Sequence, residues 1–103
     1  MAQFDVYRAP RGGDHSLLVD VQTESLSQIE SRVVVPMIAR AKINPKEIVG
    51  RLNPIVTVDS VEYVLIVQEL AAVPVSLLRS RVGSLARQRD AMVAALDLLF
   101  TGI

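Results

Sequence analysis

The apolar residues of this chain change their period once, near Ser84, and that change constrains the fold more than any other feature. Before it they come in short β-branched or aliphatic runs, broken by prolines, glycines and polar clusters. Such runs are strand-like. After it, Leu85, Met92, Leu96 and Leu99 fall on one helical face, with Val93 and Phe100 beside them. The pattern predicts about five antiparallel strands followed by one C-terminal α-helix, with Ser84 as its N-cap. The fold class is therefore mainly β with a C-terminal helix.

The runs place the elements. Gln3 to Arg8 reads as a first strand with Phe4 and Val6 on one face. Pro10, Gly12, Gly13 and Asp14 mark a turn into a second strand, Leu17 to Gln22, and the two should form a hairpin. In the second strand Leu17, Val19 and Val21 alternate with Leu18, Asp20 and Gln22. Thr23 to Ser31 is polar and irregular. Arg32 to Ile38 is a strand whose Pro36 lacks a ladder donor, which points to an edge, a bulge or a strand end. Ala39 to Leu52 reads as a loop with one helical turn from Pro45. Ile55–Val58 and Val61–Val67 form a hairpin across Asp59 and Ser60. Glu69 to Ala72 is a connection, and Val73 to Leu78 a last strand.

Length and composition narrow the class. The 103 residues suit one domain spanning residues 1–103. The mean hydropathy is positive and the formal net charge is zero. Neutral, greasy surfaces associate, so a second copy is expected to cover part of the apolar surface. The absence of cysteine excludes disulfides, thiolate nucleophiles and cysteine metal sites. The N-terminal stretch has no apolar run of the secretory kind, and no run approaches the ~20 residues that span a bilayer. A cytoplasmic chain with no membrane partner is expected.

Catalytic signatures are scarce. His15 stands alone beside a Gly-Gly turn, which suits neither a transition-metal site nor a Ser-His-Asp arrangement. Asp20, Glu24 and Glu30 can be read as an acid–base set, but more simply as a polar strand edge and loop. The tail is more telling. Arg79, Arg81, Arg87 and Arg89 precede any acid until Asp90, while Asp97 sits near the helix end. Cations at a helix N-terminus and an anion at its C-terminus oppose the macrodipole by roughly 0.3–1 kcal/mol each. These charges either tolerate a small penalty on a solvated face or serve partners. The ending Phe100-Thr101-Gly102-Ile103 is either a glycine-capped end packed on the domain or a recognition tip.

Ordered blocks across nearly the whole chain resemble the CcdB family of bacterial toxins. Gln3-Phe4-x-Val6-Tyr7 and Asp20-Val21-Gln22 are similar to its first two strands. Arg32-Val33-Val34-Val35-Pro36-Met37 resembles its Arg-Met-Val-Ile-Pro-Leu, and Leu52-Asn53-Pro54-Ile55-Val56 its Leu-Tyr-Pro-Val-Val. Ala72-Val73-Pro74-Val75-Ser76 resembles Ser-Val-Pro-Val-Ser. Ala95 to Ile103 resembles Ala-Ile-Asn-Leu-Met-Phe-Trp-Gly-Ile. The resemblance implies an SH3-like β-barrel of CcdB/MazF type and a symmetric homodimer. It implies a non-enzymatic toxin, without cofactor or metal, that binds the A subunit of DNA gyrase and traps the enzyme on cleaved DNA. A CcdA-type antitoxin would neutralise it and would itself make the DNA contacts when the pair represses its operon.

Carried over by position, the resemblance puts gyrase binding on Ser25, Leu26, Asp97, Phe100, Thr101, Gly102 and Ile103. Arg79, Arg81, Arg87 and Arg89 are expected to meet an acidic antitoxin segment. Thr101 stands where the family's plasmid toxin has tryptophan. That ring is implied to stack on a gyrase arginine, worth about 1–2 kcal/mol when desolvated. Asp97, one helical turn earlier, could reach the same arginine as a charged pair. Two other readings stay open: a MazF/Kid-type ribonuclease, which shares the fold class, and a relative that binds antitoxin without poisoning gyrase.

Overall fold

The RVVVPMI run organises the sheet. It forms the centre of a nine-residue strand, β3 (Ser31–Ala39), long enough to take partners on both sides. The computed structural model describes residues 2–10 and 17–103; the expected Gly12-Gly13 turn and His15 lie outside the described residues. On one side β3 pairs with β2 (Leu17–Asp20), which pairs with β1 (Asp5–Arg8). On its other side the first half of β3 pairs with β6 (Ala71–Pro74) and the second half with β5 (Val61–Leu65). β4 (Ile55–Val58) extends from β5, and β7 (Arg81–Ser84) closes the far edge against β1. All these pairings are antiparallel. The result is the expected class: a curled antiparallel half-barrel followed by one helix, α1 (Arg89–Thr101).

Pro36 is central rather than at an edge. It pairs with Leu18 of β2, and its carbonyl accepts from Ile66 N–H at 2.9 Å. The N–H and C=O of a strand residue point to the same side. The missing donor therefore faces the seam where β6 gives way to β5, and no ladder bond is lost there.

Alternation sorts the side chains onto two faces. Val6, Val19, Val35, Met37 and Leu65 point into the main core, where Phe4, Leu85, Met92 and Ala95 join them. Each such side chain contributes roughly 1.5–3 kcal/mol of burial. On the opposite face Tyr7, Val34 and Leu78 form a second, smaller cluster, with Leu18 and Val73 against it. The hairpin β4–β5 turns at Asp59 and Ser60, whose φ angles of 50° and 66° suit the type I′ turn that matches strand twist.

Three local expectations shift. β1 begins at Asp5 because residues 2–5 make a turn, with Asp5 N–H donating to the Ala2 carbonyl at 3.1 Å and Phe4 at a φ of 71°. The last predicted strand divides: Ala71–Pro74 is β6, and Val75–Leu77 is a 3-10 turn that carries the chain across the second face. β7 then follows as a strand that the pattern did not announce. Ser84 is no helix cap. Its Oγ accepts from Ala86 N–H at 3.2 Å, just ahead of a short 3-10 turn (Ala86–Gln88) whose N-cap residue is Leu85 and has no side-chain cap bond. α1 starts at Arg89, after Gln88, with no side-chain cap.

Candidate partner-binding site

α1 is tethered at its base and free at its end. Met92 and Ala95 are buried, and Val93, Leu96 and Leu99 pack against the core from the same side. Its principal neighbours are segments 50–52, 67–69 and 86–88. Beyond Leu99 every residue is exposed. Phe100 is 69% and Ile103 84% exposed, the two highest values among the large hydrophobic side chains of the described residues. The end is therefore glycine-capped but not packed back on the sheet.

Two local bonds set the shape of this tip. Gly102 adopts φ 76° and ψ 13°, and its N–H donates to the Leu98 carbonyl at 3.0 Å, an αL cap. A Cβ there would meet open space, so the glycine serves the positive φ and not a close approach. The Thr101 hydroxyl donates to the Asp97 backbone carbonyl at 2.6 Å. That leaves the Asp97 carboxylate exposed and without a partner among the described residues.

Ser25 and Leu26 lie on a 3-10 turn (Glu24–Leu26) after β2. The turn contains no buried residue, and Leu26 is 41% exposed. It is not among the principal neighbours of α1. Polar bonds hold it instead. Thr23 Oγ1 accepts from Ser25 N–H at 3.3 Å, and Glu24 Oε1 accepts from Gln3 N–H at 3.1 Å.

The four arginines separate. Arg81, on β7, pairs with Asp5 at 3.2 Å. Arg79 donates from Nε to the Ser76 carbonyl at 2.9 Å and lines an open cleft of about 470 Å3 with Arg8. Arg87 and Arg89 are exposed before and at the start of α1, where Arg89 lies 3.9 Å from Asp90. Arg8 is a cation that the sequence pattern did not single out; its place at the end of β1, with its N–H on the Ser80 carbonyl at 3.0 Å, brings it beside Arg79.

Asp20 corrects the polar-edge reading. It is 0% exposed and Arg32 is 1% exposed. Arg32 Nε donates to Oδ2 at 2.7 Å and Nη2 to Oδ1 at 3.1 Å. This two-point grip sits on the second face of the sheet, beside Tyr7. Burial, then Asp5 and Asp20, push the Tyr7 phenol above its ordinary range, and Arg81 and Arg32 pull the other way. Arg32 Nη1 is buried without a partner among the described residues.

The curled antiparallel half-barrel ending in a helix has a counterpart among solved structures. It superposes on the Mycobacterium tuberculosis toxin MazF-mt6 with a TM-score of 0.71, covering 93% of this chain and 95% of that one at 17% identity. That identity speaks for the fold alone. The family model described as CcdB protein matches residues 3–102, and the chain belongs to the CcdB family. It is thus a toxin of the toxin–antitoxin type, with an antitoxin as its partner. No helix among the described residues is long and apolar enough to cross a membrane.

Proposed function

We propose that this toxin is a non-enzymatic poison of DNA gyrase. It binds the A subunit in the cytoplasm through the C-terminal tip and traps the enzyme with DNA cleaved. The observation that carries this reading is the tip itself. Phe100 and Ile103 stand in solvent at the end of a helix whose last turn is locked by Gly102 and Thr101. An apolar pair displayed on a rigid end is a contact device, since ordering cost has been met before the partner arrives. Asp97 presents an exposed carboxylate one turn earlier, suited to a guanidinium on the partner. Ser25 and Leu26 add a second patch.

A homodimer fits the same reading. Val49, Ile55 and Val61 are exposed, and Ile55 borders a cleft with Pro54, Ala91 and Ala94. A second copy would remove this apolar surface from water. The antitoxin's acidic segment would meet the exposed arginines: Arg87 in solvent, Arg89 beside Asp90, Arg79 in its cleft, and Arg81 only in competition with Asp5. DNA would be touched through the antitoxin.

The experiment is a gyrase cleavage assay with the purified protein, run beside an incubation with bulk RNA. The proposal expects accumulation of cleaved, gyrase-linked DNA and intact RNA. RNA fragmentation with gyrase unaffected would replace it with the ribonuclease reading. Antitoxin binding with neither effect would leave a non-poisoning relative.

A further inference from the structure

We propose that Gln22 is a positioning residue, which couples the buried Asp20–Arg32 pair to the exposed Glu24–Leu26 turn and so fixes the shape in which Ser25 and Leu26 meet a partner. The gyrase role of that turn belongs to the function proposed above; the tether itself stands on geometry.

The turn is unusual in having nothing apolar to hold it. None of its three residues is buried, so core packing cannot select its conformation. Its shape comes from hydrogen bonds: Thr23 Oγ1 and Glu24 Oε1 hold its start, and the side-chain bond at its end leads inward through Gln22. The Gln22 side chain spans two segments. Its Oε1 accepts from Val33 N–H of β3 at 3.0 Å, and its Nε2 donates to the Leu26 carbonyl at 3.4 Å. The Gln22 backbone is held from below. Its N–H donates to Asp20 Oδ1 at 3.0 Å, and its carbonyl accepts from Arg32 Nη2 at 2.9 Å. Asp20 and Arg32 are fully buried and grip each other at two points. The chain of contacts therefore runs from a rigid ionic anchor, through both parts of Gln22, to the last residue of the turn.

This assigns the buried pair a use beyond stability. A buried ion pair is weak evidence for stability, because its desolvation offsets most of its attraction. Its strength is geometric: the guanidinium fork fixes direction as well as distance. Here that direction is passed to Gln22. Changing Asp20 or Arg32 would disturb the core. Gln22 is half-buried and can be changed without opening it.

Gln22→Glu separates the two side-chain bonds. It keeps an oxygen for Val33 N–H but removes the donor to Leu26. Gln22→Met removes both. In dimeric protein, native-state hydrogen exchange at Leu26, Ser27 and Ile29 should accelerate about tenfold or more in both variants. Exchange in β2 and β3 and the thermal midpoint of Gln22→Glu should stay near wild type. Gyrase A-subunit affinity should fall by about tenfold, while antitoxin affinity should not. Unchanged exchange in the turn for both variants overturns the tether whatever gyrase does. Equal losses of gyrase and antitoxin affinity would show a general structural defect and also overturn it. Leu26→Asp serves as the control for the wider reading: if it leaves gyrase binding intact, the turn's gyrase contact is wrong, while the exchange arm still decides the tether.

Discussion

Asp20→Asn should destabilise this protein far more than a surface change of the same kind. The amide preserves size and one acceptor oxygen but removes the charge facing Arg32. Arg32 is 1% exposed and already has one buried nitrogen without a partner, so water cannot replace what is lost. Removing one member of a buried pair costs about 3–5 kcal/mol. The remaining amide oxygen still accepts one bond, which offsets about 1 kcal/mol. We expect a net loss of about 2–4 kcal/mol, against a total of about 5–15 kcal/mol for a typical domain. At about 4–8 °C per kcal/mol for a chain of this size, Tm should fall by about 10–30 °C. Asp20→Leu combined with Arg32→Met leaves no charge behind and should cost less than the sum of the two single changes. It still forfeits the two bonds to the Gln22 backbone, about 1 kcal/mol each. Urea unfolding at one fixed protein concentration reads all five proteins (wild type, Asp20→Asn, Asp20→Leu, Arg32→Met and the double variant), since the stability of a dimer would depend on concentration. A loss below about 1 kcal/mol for Asp20→Asn, or strict additivity in the double variant, would refute the account of this pair.

Other outcomes follow from named groups. The Tyr7 phenol binds its proton more tightly in the folded chain, so its contribution is intact below the unfolded value near 10 and is lost as pH rises through the folded value. Unfolding measured from about pH 8 to pH 11 should show a fall in stability above about pH 10 that Tyr7→Phe reduces. Arg87→Ala with Arg89→Ala should slow antitoxin association and flatten its salt dependence, because both guanidiniums are exposed and neither holds the fold. An unaltered salt profile by stopped-flow would count against a charge-led encounter. Thr101→Trp places a ring on the tip and removes the hydroxyl bound to the Asp97 carbonyl; titration against gyrase should show about tenfold tighter binding.

Much of the fold was legible because local signals agreed with it. The Asp59-Ser60 turn, the β-branched run of β3 and the helical period after Leu85 each correspond to an element. β7 was not legible: Arg81-Val82-Gly83-Ser84 has no alternation, and only pairing with β1 makes it a strand. β6 was displaced because its first residues are alanines, while Val75-Ser76-Leu77 looks more strand-like yet turns over the second face. The Ser84 cap signal misled: Ser84 ends β7, and its hydroxyl accepts only a local bond from Ala86 N–H. Asp20 was read as a polar edge because alternation reports which face a residue takes, not whether that face is covered. Part of its cover is Arg32, on the neighbouring strand and twelve residues away in sequence. The tip residues came from the family resemblance; what sequence left open was whether Phe100 and Ile103 pack back, and their exposure answers that for the single chain.

The central claim concerns three residues. Isothermal titration of the gyrase A subunit with the intact protein and with a form lacking Thr101, Gly102 and Ile103 tests it most directly, both first shown to be dimeric by sedimentation. The account predicts that the truncated dimer keeps its unfolding transition and its antitoxin binding but gives no heat with gyrase. Binding by the truncated dimer as tight as that of the intact protein would contradict it.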